Sequence, residues 1–251
     1  MTAPAPTGPD KSPERIARMF DAIARRYDLL NHLLSLGLDR RWRKRAVRSL
    51  ALSPGSRVLD LCAGTGDLAL AVVADGDRGS HQRGGGHRVL AVDFAAGMLR
   101  VAGAKLARRG EQRIGLVRGD ATSLPLPDAS VDAAAIGFGI RNVQNPEIAA
   151  REIRRALKPG GRLAILEFGT PAVPGLRAAY LFYFRHVLPL IGRAISRHND
   201  AYSYLPASVA AFPSPDAFLA LLRDAGFSEV AVDRLTFGIV YLFVARKTGR
   251  S

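Results

Sequence analysis

The chain has 251 residues, with 36 basic side chains against 22 acidic ones and a formal charge of +14. That length suits one large domain or two small ones, and 48% apolar with 23% charged residues excludes a disordered chain. A single cysteine, Cys62, excludes an intramolecular disulfide and any multi-cysteine zinc or iron–sulfur centre, and it fits a reducing cytoplasm.

The first fifteen residues lack the apolar run of a secretory signal. Residues 1–12 read as a disordered tail ahead of one domain over 13–251. From Pro13 to about Leu50, the apolar residues Ile16, Met19, Phe20, Ile23, Tyr27, Leu30 and Leu34 recur at helical spacing. Gly37 interrupts this region, and a second helix runs through Trp42 and Val47. The same stretch is strongly basic. Residues 14–57 hold ten Arg and Lys44 against Glu14, Asp21, Asp28 and Asp39, which is half of the net charge. Such a patch suits an acidic partner, whether nucleic acid, anionic lipid or a phosphorylated ligand, or is a solvated face.

After Ser53-Pro54-Gly55 the pattern alternates between strand and helix. Arg57 to Cys62 reads as a buried strand, followed by a glycine turn and a helix over Leu68–Val73. Asp75 to His87 reads as a flexible Gly-rich loop. A second strand, Arg88–Val92, ends at Asp93 and leads to a helix through Met98, Val101 and Leu106. Strands follow at Ile114–Arg118 and Val131–Ile136, then a helix from Pro146 to Leu157 that Lys158-Pro159-Gly160-Gly161 should stop. A fifth strand spans Arg162–Phe168, and residues 170–212 read as a helical insertion on the substrate side. Its apolar part, Leu176–Ile195, carries too many charges for a membrane span. A last helix, Ser214–Ala225, precedes strands near Val230–Asp233 and Ile239–Ala245. Strands alternating with helices predict an α/β fold with a doubly wound, Rossmann-like sheet.

The strongest local signal is Val58-Leu59-Asp60-Leu61-Cys62-Ala63-Gly64-Thr65-Gly66-Asp67. A strand runs straight into Gly64-x-Gly66 and a helix, so backbone can approach a ligand closely. Gly64, Gly66 and Ala69 also satisfy the dinucleotide pattern G-x-G-x-x-A. Asp93 stands where an acidic residue binds ribose hydroxyls, and Asp120 follows the third strand. Three carboxylates, Asp60, Asp93 and Asp120, therefore end successive strands.

That pattern resembles the class I S-adenosylmethionine-dependent methyltransferases, whose sheet is mostly parallel with an antiparallel last strand. Flanking motifs narrow the resemblance. Met19-Phe20-Asp21-Ala22-Ile23-Ala24-Arg25-Arg26-Tyr27-Asp28, Gly137-Phe138-Gly139-Ile140-Arg141-Asn142-Val143 and Asp200-Ala201-Tyr202-Ser203-Tyr204-Leu205-Pro206 resemble segments of the menaquinone and ubiquinone biosynthesis C-methyltransferases. Leu166-Glu167-Phe168, Val187-Leu188-Pro189 and Gly238-Ile239-Val240 complete the match over residues 16–245.

The resemblance implies S-adenosyl-L-methionine as cofactor and no metal. Gly64, Thr65 and Gly66 would cradle its methionine end, Asp60 would rim the site, Asp93 would bind ribose, and Asp120 with Ala121 would bind adenine. Gly137 would touch the cofactor through backbone alone, where many relatives carry Ser. Cys62 reads as an inert buried hydrophobe. The reaction implied is C-methylation of a reduced polyprenyl quinone, demethylmenaquinol first and the ubiquinone-pathway benzoquinol second. Arg141 would stabilise a phenolate or else salt-bridge a helix; Asn142 would fix a ring oxygen or else cap the helix at Pro146. His186, Asp200, Tyr202 and Asp28 are the candidates for general base. Tyr180, Phe182, Tyr183 and Phe184 would line a channel for an isoprenoid tail. The expected partners are a lipid quinol and an anionic membrane surface on the cytoplasmic side, with no nucleic acid.

Overall fold

The computed structural model describes residues 10–79, 86–171, 173–183, 186 and 200–249, with the side chains at 25, 30, 33, 34 and 200–203 excepted. The expected tail falls outside them up to residue 9; residues 10–12 lead directly into the first helix, with the Ser12 N–H donating to Asp10 Oδ1 at 2.8 Å.

Seven strands form one sheet in the order β3-β2-β1-β4-β5-β7-β6. They are β1 Arg57–Leu61, β2 Arg88–Asp93, β3 Ile114–Arg118, β4 Val131–Gly137, β5 Leu157–Phe168, β6 Ser228–Leu235 and β7 Val240–Arg246. The first five are mutually parallel, and β7 runs antiparallel to both neighbours. This is the expected mostly parallel sheet with an antiparallel last strand. Leu59, Ala134 and Leu163 are 0% exposed because helices cover both faces of the central strands. Burying each leucine there contributes about 1.5–3 kcal/mol.

Among the described residues the helices are α1 Pro13–Leu34, α2 Asp39–Ser49, α3 Asp67–Gly79, α4 Ala96–Arg109, α5 Pro146–Ala156, α6 Pro174–Phe182, α7 Asp200–Ala210 and α8 Pro215–Asp224. Helix α5 buries the stripe Ala149, Ala150, Ile153 and Ala156 and opens on Pro146. Helix α8 starts where the Ser214 hydroxyl accepts the Ala217 N–H at 3.3 Å. Among the described residues no single helix is long and apolar enough to cross a membrane.

Two expectations are corrected. The Gly-rich loop does not begin at Asp75: α3 continues through Gly79, helped by an Arg78–Asp75 pair at 3.0 Å, and residues 80–85 lie outside the described set. The helix does stop ahead of Lys158–Gly161, since α5 ends at Ala156, but the fifth strand begins at Leu157 and not at Arg162, so this segment belongs to β5. Leu157 pairs with Val131, and Gly160 and Gly161 exchange hydrogen bonds with Lys247 at 2.7 and 2.9 Å. Pairing with β4 on one flank and Lys247 on the other draws the residues before Arg162 into the strand, with a register shift near Asp132.

The order of strands reverses between β1 and β4, which opens a crevice at their carboxyl ends. Helix α1 lies across that crevice. It is fastened by the Gly97 N–H donating to Asp21 Oδ1 at 2.6 Å, which places an acid at the N-terminus of α4, and by Lys105 bridging to Asp28 at 2.5 Å.

Candidate active site

Two cavities lie side by side under α1. The first, about 130 Å³, sits at the carboxyl ends of β1, β2 and β4. Of the expected cofactor residues, Gly64, Asp93, Asp120, Ala121 and Gly137 line it. Gly64 has φ +56°, and its N–H donates to Asp93 Oδ2 at 2.7 Å. Asp93 Oδ1 accepts the Ala95 N–H at 2.8 Å, so the carboxylate is fixed by backbone on both oxygens. Burial raises its pKa against these hydrogen bonds. Asp120 accepts the Thr122 N–H at 2.8 Å in a tight turn at the exposed rim.

The remaining expected cofactor residues are not in the wall. Asp60 is 0% exposed, its Oδ2 takes the Ala69 N–H at 2.9 Å, and burial pushes its pKa up to about 8. It braces the start of α3 from beneath. The Thr65 hydroxyl donates to Asp28 on α1, and Gly66 turns behind the cavity, where a Cβ would meet Ala102 at 3.6 Å. Both hold the turn that presents Gly64. Cys62 lines the first cavity with its thiol pushed well above the usual range, first by burial and then by Asp93. It stays protonated, as its inert reading requires.

Gly139 has a reason for being glycine: a Cβ there would lie 2.3 Å from Cys62 Cβ. This close approach brings the turn after β4 against the end of β1. It also sets the positions of the next three residues. Asn142 points to the first cavity, and its buried Oδ1 has no hydrogen-bond partner among the described residues. It does not cap α5, whose N-terminus has Asn145 and no side-chain bond. An orphaned acceptor here, beside two carboxylates and a glycine turn, fits a ligand that carries N–H, hydroxyl and positive groups.

Arg141 points the other way, into the second cavity. That cavity measures about 330 Å³ and is chiefly apolar, with Met19, Ile23, Trp42, Phe168 and Leu176 in its wall. Arg141 is 5% exposed and pairs with Glu167 Oε1 at 2.6 Å, Glu167 itself being 0% exposed. Its Nη1 also donates to Phe138 O and its Nε to Ser208 Oγ at 3.3 Å, while its guanidinium lies 5.4 Å from the Phe168 ring centroid. These contacts leave Nη2 without a hydrogen-bond partner among the described residues. The salt bridge runs to strand β5, not to a helix.

Phe20, Tyr27 and Phe138 line both cavities and form the wall between them. Phe138 stacks on Phe168 at 4.4 Å and meets Trp42 edge-on at 6.0 Å. The Tyr27 phenol is hydrogen-bonded with Asn31, and burial raises its pKa.

The candidate bases separate. Asp28 is committed to Lys105 and the Thr65 hydroxyl. His186 is exposed, lies tilted against the exposed ring of Phe182 at 4.9 Å between centroids, and lines neither cavity. The side chains of Asp200 and Tyr202, and all of Phe184, fall outside the described residues. Of the four aromatic residues expected along a tail channel, Tyr180 and Tyr183 line the second cavity, whereas Phe182 faces outward. Tyr204 was not singled out from the sequence. It is 5% exposed, lines the second cavity, and its hydroxyl has no partner among the described residues. Its place two residues beyond Tyr202 in the same motif was the only available signal. Likewise, nothing marked Lys11 and Pro13 as part of the first cavity.

A model of the ubiE/COQ5 methyltransferase family matches residues 10–247. The chain belongs to that family. The "Ubiquinone/menaquinone biosynthesis C-methyltransferase UbiE" of Syntrophotalea carbinolica is 49% identical over 225 residues, covering 90% of this chain and 91% of the relative. The "Demethylmenaquinone methyltransferase" of Thermus thermophilus is 46% identical, covering 90% and 98%. Among solved structures, a SAM-dependent methyltransferase from Aquifex aeolicus superposes with a TM-score of 0.59 at 18% identity, covering 94% of this chain and 98% of that one. The [4+2]-cyclase SpnF superposes with a TM-score of 0.70 at 19% identity, covering 98% of both. The last two establish the fold alone, and a cyclase among them shows why the fold does not fix the reaction. Family membership makes this chain a methyltransferase.

Proposed function

We propose that this methyltransferase transfers a methyl group from S-adenosyl-L-methionine to a ring carbon of a reduced polyprenyl quinone, demethylmenaquinol in the first instance. The observation that carries this reading is the adjacency of a polar, carboxylate-lined cavity and an apolar one across the wall of Phe20, Tyr27 and Phe138. A charged nucleoside donor suits the first and a lipid aromatic suits the second.

Gly64, Asp93, Asp120, Ala121 and Asn142 would hold the cofactor, with Gly137 contributing backbone. Asp93 is pre-set by two backbone N–H groups to accept ribose hydroxyls, and Asn142 Oδ1 accepts a ligand N–H. The cofactor supplies an electrophilic methyl group.

A hydroquinone carbon is a weak nucleophile until a ring hydroxyl loses its proton. Arg141 Nη2 and the Tyr204 hydroxyl are donors at the second cavity without partners among the described residues, and both stabilise the resulting phenolate oxygen. Glu167 lies behind Arg141, so the cavity meets the positive end of the pair. The phenolate directs its electron density to the adjacent carbon, where the cofactor would deliver its methyl group as the bond to sulfur breaks and S-adenosylhomocysteine leaves. The ring proton then returns to the phenolate oxygen and restores the hydroquinone, so the one proton released overall is that of the hydroxyl, lost to solvent at the cavity mouth. One such preorganised donor is worth about 2.7–4 kcal/mol of barrier. The apolar walls and the roof of α1 exclude water and align the ring.

The test is a panel of reduced quinones incubated with methyl-labelled S-adenosylmethionine. Label on a ring carbon of demethylmenaquinol supports the reading. Preference for a methoxybenzoquinol moves the assignment to the ubiquinone branch, and label on oxygen, or none on any quinol, overturns it.

A further inference from the structure

The second cavity opens beside a surface that the reaction itself does not explain. The solvent face of α2 carries Arg40, Arg41, Lys44, Arg45 and Arg48, with Trp42, Arg43, Ala46 and Val47 on the buried side. Of the five, only Arg45 has a carboxylate partner among the described residues, Asp233 at 3.1 Å. Five cations at i, i+1, i+4, i+5 and i+8 with no interleaved acid oppose one another and weaken the helix slightly.

Next to this face stand two apolar side chains in unfavourable positions. Leu36 is 86% exposed at φ +50°, and Phe237 is 75% exposed at φ +57°. Left-handed backbone is costly for bulky residues, and neither gains burial in return. They belong to two turns that flank the same opening. Leu36 and Leu38 line the second cavity from one side, Thr236 and Ile239 from the other. The Trp42 Nε1–H donates to Thr236 Oγ1 at 2.9 Å, and the Arg45–Asp233 pair joins α2 to the same end of β6. The basic face, both exposed apolar side chains and the cavity mouth thus form one continuous region.

We propose that this region is the docking surface for an anionic lipid bilayer. The α2 cations sit at the headgroup level, and Leu36 and Phe237 insert into the acyl boundary on either side of the mouth. Charge complementarity selects anionic lipid, and two apolar side chains beside an apolar cavity select a bilayer over a nucleic acid. In this orientation a quinol head passes from the membrane into the second cavity while its tail remains in lipid. The proposal rests on the reading of that cavity as a lipid-quinol site, but its test needs no substrate, so failure of one is distinguishable from failure of the other.

The experiment is cosedimentation of the whole protein with phosphatidylcholine vesicles, with and without phosphatidylglycerol. Binding is expected with phosphatidylglycerol only, and to weaken steeply with salt. Arg40→Glu with Arg41→Glu and Lys44→Glu should weaken it on the order of a hundredfold or more. Leu36→Asn and Phe237→Asn suit the left-handed backbone, so they preserve the fold and should each weaken binding several-fold. Phe237→Trp adds a reporter to the buried Trp42, and its emission should shift to the blue and be quenched by brominated phosphatidylglycerol. Equal binding to neutral vesicles, indifference to the charge reversals in a folded variant, or emission from the Phe237→Trp variant that vesicles leave unchanged would overturn the proposal. Tight binding to duplex RNA or DNA without vesicle binding would do so as well.

Discussion

The two cavities are built in opposite ways. The first is made chiefly from short contiguous motifs at the ends of parallel strands: Gly64 after β1, Asp93 ending β2, Asp120 after β3, Gly137 ending β4. The second draws its wall from α1, the turn before α2, α2 itself, the turn after β4, β5, α6, α7 and the turn before β7. A ligand site shared by a whole fold class sits where the strands end, so its residues have fixed spacing. A site for one acceptor is assembled from insertions that pack together only in the folded chain. Arg141 and Asn142, adjacent in sequence, show the difference directly, since they face different cavities.

Breaking the Arg141–Glu167 pair should have the largest effect. Arg141→Ala strands a carboxylate that is 0% exposed, which costs about 3–5 kcal/mol of stability in urea unfolding. Turnover should fall by about 100-fold or more, while calorimetric affinity for S-adenosylmethionine stays near native in the folded fraction. A double variant, Arg141→Met with Glu167→Leu, should regain most of the stability and none of the turnover. Equal loss of cofactor affinity would merge the two cavities into one.

Asp93→Ala probes the other side of the wall. Losing one or two charge-assisted hydrogen bonds should weaken cofactor binding by about 1.5–3 kcal/mol, roughly ten- to a hundredfold. Binding of a short-tailed quinone should be unchanged. Calorimetry reads both. A folded Asp93→Ala protein with native cofactor affinity would remove Asp93 from the site.

Tyr204→Phe should be smaller in effect and more informative. Its hydroxyl has no partner among the described residues, so thermal stability should hold or rise slightly. Because the hydroxyl donates to a phenolate oxygen, kcat should fall by about tenfold, the low end of the roughly 1.5–3 kcal/mol of a hydrogen bond to a charged group. Unchanged kcat would return Tyr204 to a packing role.

The smallest effect on either ligand concerns Asp60, which the sequence placed with the cofactor and the structure places beneath the first cavity, outside its wall. Its folded pKa is raised to about 8, so between the ordinary aspartate range and pH 8 the folded state holds a proton that the unfolded state has lost. Stability from this group therefore falls as pH rises through that window. Asp60→Asn keeps an acceptor for the Ala69 N–H and should flatten that slope in unfolding measured from pH 4 to 8, with cofactor affinity little changed.

The strand positions, the glycine turn and the carboxylates at Asp93 and Asp120 were legible because each is a local pattern with one physical cause. Hydrophobic runs mark buried strands, and glycine marks left-handed backbone. The sequence could not show that Thr65 would turn its hydroxyl to Asp28, because that bond depends on where α1 crosses the sheet. Nor could it show that Glu167 would stand behind Arg141 on an adjoining strand 26 positions away. His186 looked reactive by residue type, but reactivity requires a cavity, and its ring lies on the surface against Phe182. Lys158–Gly161 did end the helix as read, but its place in β5 was hidden because its strand partner, Lys247, comes near the end of the chain.

The central claim is that two separate cavities share one wall, and the most direct measurement is calorimetric titration with a short-tailed demethylmenaquinone, repeated after saturation with S-adenosylhomocysteine. The account predicts that the quinone binds in both titrations, with affinity equal or higher when the first cavity is filled. If S-adenosylhomocysteine displaced the quinone competitively, both would occupy one cavity, and the division by Phe20, Tyr27 and Phe138 would be contradicted.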